Sequence, residues 1–322
     1  MAEILITGAT GFVGSHLVEA LGRRGVEARA LVRETSDTSF LDRYGLVRQV
    51  GDLTDLRSVK RALAGAGTVV HLAAATRALS AATFHRINAE GTQRLVEAMK
   101  DGGTRRRLVY LSSLAAVGPS TEPVGTGARA QPITAYGRSK LAGEWACLSD
   151  PDIDAVVLRP PAVYGPRDRD LLTFFRLANR GVLPELGSRT RRLQMVHVSD
   201  LAEAIVSAIE ATGASGVFHV AEPTAYTWDD VLGMMAEAVG VSGRRIPVPA
   251  GVVRVAAAVT ELAARVVRRP VIFDRDKARE ILAAGWLCET ERARRELGFE
   301  ARIPLGRGLR ETAEWYRAYG WL

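Results

Sequence analysis

Short apolar runs rich in β-branched residues alternate with helical stretches through the first half of the chain. "EILITGA" (3–9), "EARALVR" (27–33), "LVRQVGD" (46–52), "GTVVHLAA" (67–74), "RRLVYLSS" (106–113) and "IDAVVLRP" (153–160) each read as a strand. Helical patterns fill the gaps, including 12–24, 84–100 and 136–147. Strand, helix, strand in that rhythm is the pattern of βαβ units, so the expected fold class is α/β with a parallel sheet. Two Gly- and Pro-rich segments, 118–134 and 165–170, read as loops. Beyond residue 167 the order loosens. A helix over 171–180, "LQMVHV" (193–198), a helix over 200–211 and a strand "GVFHVA" (216–221) precede further helices to the end. No internal repeat or low-complexity segment is visible.

The junction of the first strand and first helix carries "TGATGFVGSHL", in which Gly8, Gly11 and Gly14 form G-x-x-G-x-x-G. Glycine permits the tight turn, lets backbone approach a pyrophosphate and allows the helix to pack closely on the strand. The helix N-terminus then offers free N–H groups and a positive dipole end to the anion. The strand–turn–helix context makes this a dinucleotide site, held by Gly8, Thr10 and Gly11, then Phe12, Val13 and Gly14. At the end of the second strand, Arg33 lies 19 residues after Gly14, where a guanidinium would accept the extra phosphate of NADP. Glu34 follows it as an acidic alternative, so NADP is expected ahead of NAD. Asp52 and Leu53, ending the third strand, are placed to border the adenine. Asp52 could also cap the helix that follows.

Composition narrows the picture. The 322 residues are 47% hydrophobic and 25% charged, ordinary for a globular protein. No apolar run reaches the roughly 18 uncharged residues a membrane span needs. "MAEILITGATG" enters a strand at once, leaving no room for a signal peptide, and a cytoplasmic protein is expected. Cys147 and Cys288 are far apart, with no CxxC and no histidine cluster, which argues against a disulfide scaffold and against a metal site. A formal net charge of +7 raises the question of nucleic acid. The arginines fall in short scattered clusters (105–107, 191–192, 244–245, 268–269) without interleaved aromatic platforms, so no nucleic-acid partner is expected.

Tyr136 and Lys140 stand four apart in "TAYGRSKLAGE", on one face of the predicted helix. An ammonium beside a phenol favours phenolate and is expected to lower the tyrosine pKa, giving a group that exchanges protons near neutral pH. Beside a dinucleotide site, that pair implies hydride chemistry at a hydroxyl or carbonyl, with the cofactor supplying the hard step.

Together these segments resemble the extended short-chain dehydrogenases/reductases, the NAD(P)-dependent epimerase/dehydratase group. The resemblance covers nearly the whole chain. It rests on the glycine motif, Asp52-Leu53, "HLAA" (71–74), Asn88, "LSS" (111–113), Tyr136-x-x-x-Lys140, "RPPAVYGP" (159–166) and "VHVSDLAEA" (196–204). It implies a doubly wound Rossmann domain over 1–167, with 193–221 returning to it. A smaller substrate domain would occupy most of 168–322, and the assembly would be a homodimer. It also implies that Tyr136 is the acid/base, that Lys140 tunes it and binds the nicotinamide ribose, and that Ser113 holds the substrate oxygen. Ser112 is less suited, because alternation puts only one of the two on the cleft side. Ala73, Ala74 and Ala75 would line the cofactor, Asn88 would support the site, and Pro160 and Val163 would border the nicotinamide.

Within that family, Leu114 and Ala115 follow Ser113 where sugar-nucleotide dehydratases resemble one another in carrying Asp-Glu, so a 4,6-dehydratase is not expected. A nucleotide-sugar 4-epimerase stays open, with Arg189, Arg191, Arg192 and Arg268 as cations for a diphosphate. Against it, "RLQMVH" (192–197) lacks the acidic residue of Arg-Asp-Phe before its "VHV". The helical run "AGVVRVAAAVTELAARVVRR" (250–269) is apolar apart from Arg254, Glu261, Arg265 and Arg268 at spacings of 7, 4 and 3. It could pack on the substrate domain, wall a lipophilic site or touch a membrane surface. The closing segment 296–322 resembles the 3β-hydroxysteroid dehydrogenase and dihydroflavonol-reductase-like branch. The expected function is an oxidoreductase of an apolar alcohol or ketone, small-molecule in substrate, with a pocket lined by Leu and Val.

Overall fold

Ile4, Leu5 and Ile6, Val69 and Val70, Leu108 and Val109, and Val156 to Leu158 are all buried, the signature of strands covered on both faces. This computed structural model describes residues 3–100 and 106–322. Met1, Ala2 and Arg105, the first arginine of the 105–107 cluster, lie outside the described residues. Among the described residues seven parallel strands form one sheet. Their spatial order is Gly216–His219, Ile153–Arg159, Arg106–Leu111, Ala66–His71, Glu3–Thr7, Ala28–Val32, Val47–Val50. This is a Rossmann-like, doubly wound sheet. Helices Phe12–Arg23 and Val198–Glu210 cover one face through Leu17, Leu21, Leu201 and Ile205. Helices Leu56–Leu63, Gly91–Lys100 and Ala135–Leu148 cover the other through Val59, Leu95, Met99 and Cys147. Both cysteines are free and buried.

The chain runs outward from Glu3–Thr7 through the next two strands, then returns to place Ala66–His71 on the opposite side of Glu3–Thr7. That reversal opens a crevice beyond the carboxyl ends of these two neighbours, where ligands of open α/β sheets bind. Gly8 and residues 72–75 leave the sheet there.

The second half builds a separate core from helices Leu172–Asn179, Trp228–Val239 and Leu305–Ala318 around Phe175, Leu232 and Tyr316. The Tyr316 hydroxyl donates to the Asp168 carbonyl at 2.7 Å, tying the last helix to the loop after the Rossmann strands.

Two segments differ from the expected elements. The 118–134 segment is not all loop: Ser120–Val124 forms a strand beside Gly285–Cys288 in a four-stranded sheet. Its polar sequence and Pro123 hid it, and an edge strand tolerates both. The helix expected over 84–100 contains a π turn, His85–Glu90, around Asn88. Within segment 193–221, helix Val198–Glu210 packs on the large sheet and Gly216–His219 completes it, while Met195–His197 pairs with Ala162–Tyr164 and Leu193 lies in the smaller sheet.

Candidate active site

The glycine turn is shaped by close approach. Gly8 has φ +77°, and a Cβ there would stand 2.6 Å from the Ala73 amide nitrogen. A Cβ on Gly14 would lie 2.1 Å from the Gly8 carbonyl oxygen. Helix Phe12–Arg23 begins at Gly11, which has no side chain to cap it, and its first turn holds no acidic residue. Thr10 and Gly11 are exposed and Phe12 and Val13 partly so, leaving the first-turn amides open to an anion. These features fit a dinucleotide pyrophosphate.

Arg33 is exposed just past strand Ala28–Val32. The Asp52 carboxylate accepts from the Thr54 amide and hydroxyl, each at 2.7 Å, and these bonds hold its pKa low, with a smaller contribution from Arg33. The cap of helix Leu56–Leu63 is Asp55 rather than Asp52. Leu53 packs beside Gly91.

Ala73, Ala74 and Ala75 are partly exposed along the crevice. Asn88 is fully buried behind them. Its side chain accepts from the Ala75 amide at 2.7 Å and donates to the Ala75 carbonyl at 2.9 Å and to Ser139 Oγ at 3.0 Å. It is therefore a brace between the crevice loop at Ala75 and the Tyr136 helix, its amide engaged at both ends. His71, not singled out in the sequence, continues this buried network through Thr7 (2.6 Å) and Thr92 (2.9 Å). Burial, then Lys140, hold His71 neutral, with a pKa of about 3.

Helix Ala135–Leu148 carries Tyr136 and Lys140. Thr134 caps it by accepting from the Gly137 amide at 3.1 Å, while Asp276 accepts from the Ala135 amide at 2.6 Å. Gly137 is needed because a Cβ would come within 2.3 Å of the Ala115 carbonyl oxygen. The helix thereby presses on the 3₁₀ turn Leu114–Ala116, whose cap is Ser113. Gly143 likewise lets the Tyr110 hydroxyl approach. Gly137 thus lets the Tyr136 helix close on the Ser113 turn, and the sequence signal for it was glycine inside a helical pattern.

Ser113 is partly exposed, its hydroxyl accepting from the Ala115 amide at 3.1 Å, and it faces the Tyr136 phenol. Ser112 is buried and its hydroxyl donates to Glu144. Glu144 in turn forms a buried two-point ion pair with Arg159, at 2.9 and 2.5 Å. Pro160 is buried and its carbonyl accepts from the Leu114 amide at 2.8 Å, so it anchors the Ser113 turn. Val163 is partly exposed on strand Ala162–Tyr164.

The expected lowering of the Tyr136 pKa is not what the site shows. Burial, followed by the Glu280 charge, pushes the phenol well above its ordinary value, and Ser113 only partly offsets this. Lys140 is buried with its amine 4.2 Å from the Tyr110 ring centroid. Burial, opposed by Glu144, brings its pKa down to about 7 from the ordinary 10.5. Between those values the unfolded chain holds a proton that the folded chain has released, so stability should rise with pH from about 7 to about 10.5. Below about 7 both forms are charged and the burial cost is fully felt. Comparing urea midpoints of the parent and Lys140→Met across this range should show the rise in the parent only. An equal pH dependence in both would contradict it.

A cavity of about 850 Å³ is lined on one side by Pro119, Ser120, Thr121 and Ile133, the last just before this helix begins; Ser113, Tyr136 and Lys140 are not among its lining residues. The other side is formed by Arg254, Arg275, Ala278, Arg279, Leu282 and residues 283–285. The expected Leu and Val lining is thus largely replaced by Ala, Ile, Pro and three arginines, because short helix Arg275–Leu282 faces the cavity. Arg189, Arg191, Arg192 and Arg268 do not line it. Arg189 pairs with Glu185 and Asp229, and Arg191 lies over the Trp228 ring. Among the described residues no group of three His, Cys, Asp or Glu could hold a metal ion.

The chain is similar to known proteins in sequence and in structure. A ceramide reductase of Caulobacter vibrioides (strain NA1000 / CB15N) is 35% identical over 322 residues, 99% of this chain and 96% of the relative. A 4-hydroxy-2-methyl-3-oxo-4-farnesyl-3,4-dihydroquinoline-1-oxide ketoreductase of Stigmatella aurantiaca is 27% identical, covering 94% of this chain and 93% of the relative. The structure of MoeE5 in complex with UDP-glucose and NAD superposes with a TM-score of 0.78 at 27% identity, covering 98% of this chain and 99% of that one. The chain is an NAD(P)-dependent enzyme of the extended short-chain dehydrogenase/reductase type, and the model of the NAD dependent epimerase/dehydratase family matches residues 4–221, so it belongs to that family.

Proposed function

We propose that the protein is an NADP-preferring oxidoreductase acting on the hydroxyl or carbonyl of a substrate with an apolar body and a polar end. The observation that carries this reading is the cavity lining: Pro119, Ile133, Ala278 and Leu282 offer apolar surface, with arginines beside it. An apolar body loses little on leaving water for such a wall, and the arginines can pair with a polar or anionic end. The reductases among its relatives, with a ceramide and a farnesylated quinoline in their names, support the same class.

When bound, the nicotinamide cofactor supplies or accepts the hydride. Ser113 orients the substrate oxygen, and the Tyr136 phenol gives that oxygen a proton or takes one from it. A phenol pushed above its ordinary pKa is protonated at neutral pH, so its resting form is the donor that carbonyl reduction requires. Lys140, whose amine makes no hydrogen bond among the described residues, is available to the nicotinamide ribose. We place the enzyme in the cytoplasm as a homodimer, with exposed Trp145 and Leu148 on the Tyr136 helix as the candidate contact.

Arg33 underlies the cofactor preference. Arg33→Ala should raise the dissociation constant of NADPH and leave that of NADH nearly unchanged. A charge-assisted bond worth about 1.5–3 kcal/mol corresponds to roughly tenfold or more. Equal weakening of both cofactors would make Arg33 structural.

Arg254, Arg275 and Arg279 also favour a second reading, a nucleotide-sugar 4-epimerase, since a diphosphate needs cations. Calorimetry with UDP and dTDP separates the two. Binding no tighter than millimolar is expected, and micromolar binding would favour the epimerase.

A further inference from the structure

Helix Ala250–Val267 is amphipathic in the opposite sense to a packed surface helix. Its buried face is narrow: Val253, Ala257 and Ala264 are buried, the first two clustered with Ala278 of the cavity-lining helix Arg275–Leu282, where Leu186, Val248, Phe273 and Leu282 pack as well. Its outward stripe is Val252, Val255, Val259, Leu262 and Val266, spaced 3, 4, 3 and 4 apart, and these side chains are between 55 and 80% exposed. Five aliphatic side chains along a helix about 27 Å long make a continuous apolar ridge.

The charges lie around that ridge, not across it. Arg254 and Arg265 flank one edge, and Arg268 and Arg269 close the C-terminal end. Glu261, the one acidic residue of the helix, pairs with Arg265 and stands 3.8 Å from Arg275. Arg254, Arg268 and Arg269 form no ion pair among the described residues. The ridge is aliphatic throughout, without the aromatic anchors that mark the centres of protein interfaces. No helix among the described residues is long and apolar enough to cross a membrane.

We propose that this helix docks the enzyme on an anionic phospholipid surface, lying in the plane of the interface with its aliphatic ridge immersed and its arginines at the headgroups. Arg254 belongs both to this helix and to the cavity lining, so docking sets the cavity beside the lipid. The inference goes beyond the reductase reading and is tested without turnover.

The test is flotation of the full chain with vesicles of phosphatidylcholine, alone and mixed with phosphatidylglycerol. The protein should float with the mixed vesicles, and added salt should weaken that binding. Val259→Asp/Leu262→Asp should lower partitioning at least ~10-fold, and Arg268→Glu/Arg269→Glu should lower it on the mixed vesicles. Both sites are exposed, and unchanged NADPH affinity will confirm that the variants are folded. Failure to float, equal flotation of the aspartate variant, or equal binding to neutral and anionic vesicles would overturn the proposal. So would a dimer that the aspartate substitutions convert to monomer in the absence of vesicles, which would assign the ridge to a second copy.

Discussion

Tyr136→Phe should bind NADPH as the parent does and lose at least ~10²-fold in turnover, because the substitution removes the proton-transfer group while keeping the ring. The ring contributes to the site by itself: it meets Phe84 edge-on at 6.0 Å between centroids, a contact phenylalanine retains. Steady-state kinetics with a cofactor titration by fluorescence checks both halves. An unchanged rate would remove Tyr136 from the mechanism. Loss of cofactor binding together with rate would mean that the substitution had disturbed the crevice.

Glu144→Ala should destabilise the fold by about 3–5 kcal/mol, the cost of leaving a buried partner charge uncompensated. Glu144 and Arg159 are both nearly inaccessible and joined at two points, and Glu144 also holds the Ser112 hydroxyl next to Ser113. The pair fastens the Tyr136 helix to strand Ile153–Arg159, so the loss is expected in chemical denaturation and again in turnover, since Ser113 loses its neighbour's anchor. Glu144→Gln, which can still accept from Ser112, should fall between the parent and Glu144→Ala. A denaturation midpoint unchanged in Glu144→Ala would show that the pair contributes nothing net.

The sheet was legible in the sequence because its strands are buried on both faces. Runs such as "ILI" (4–6) and "VVL" (156–158) are apolar at every position, a pattern that few other environments select. The glycine turn was legible because its geometry leaves no room for a Cβ at Gly8 or Gly14. The Ser120–Val124 strand was not, since an edge strand with polar residues and a proline carries no periodicity to read. Asn88 was visible as a residue but not as a brace: its role comes from the π turn and from Ala75 and Ser139, which lie far apart in sequence. The same holds for the Glu144–Arg159 pair, which a list of charged residues cannot separate from the many surface pairs.

The Tyr136 phenol is set by groups that its local sequence does not contain. Spacing of four placed Lys140 on its face, and a lysine neighbour would normally depress the phenol. Burial and Glu280, from a helix more than a hundred residues away, reverse the direction. The outward face of helix Ala250–Val267 is a similar case. Its apolar positions were plain in the sequence, but only the fold shows that the helix turns a narrow alanine-rich side inward and leaves its larger aliphatics outside.

An oxidoreductase of this kind transfers hydride in net terms between the nicotinamide and its amphiphilic substrate, whereas an epimerase returns it. The most direct measurement follows nicotinamide absorbance and product together, using NADPH deuterated at the transferable position and a long-chain ketone bearing a polar end. NADPH should be consumed one-for-one with alcohol formed, and the deuterium should appear on the new carbinol carbon. If instead the ketone is untouched, and a nucleotide sugar is interconverted with no net change in nicotinamide absorbance, the oxidoreductase account is contradicted.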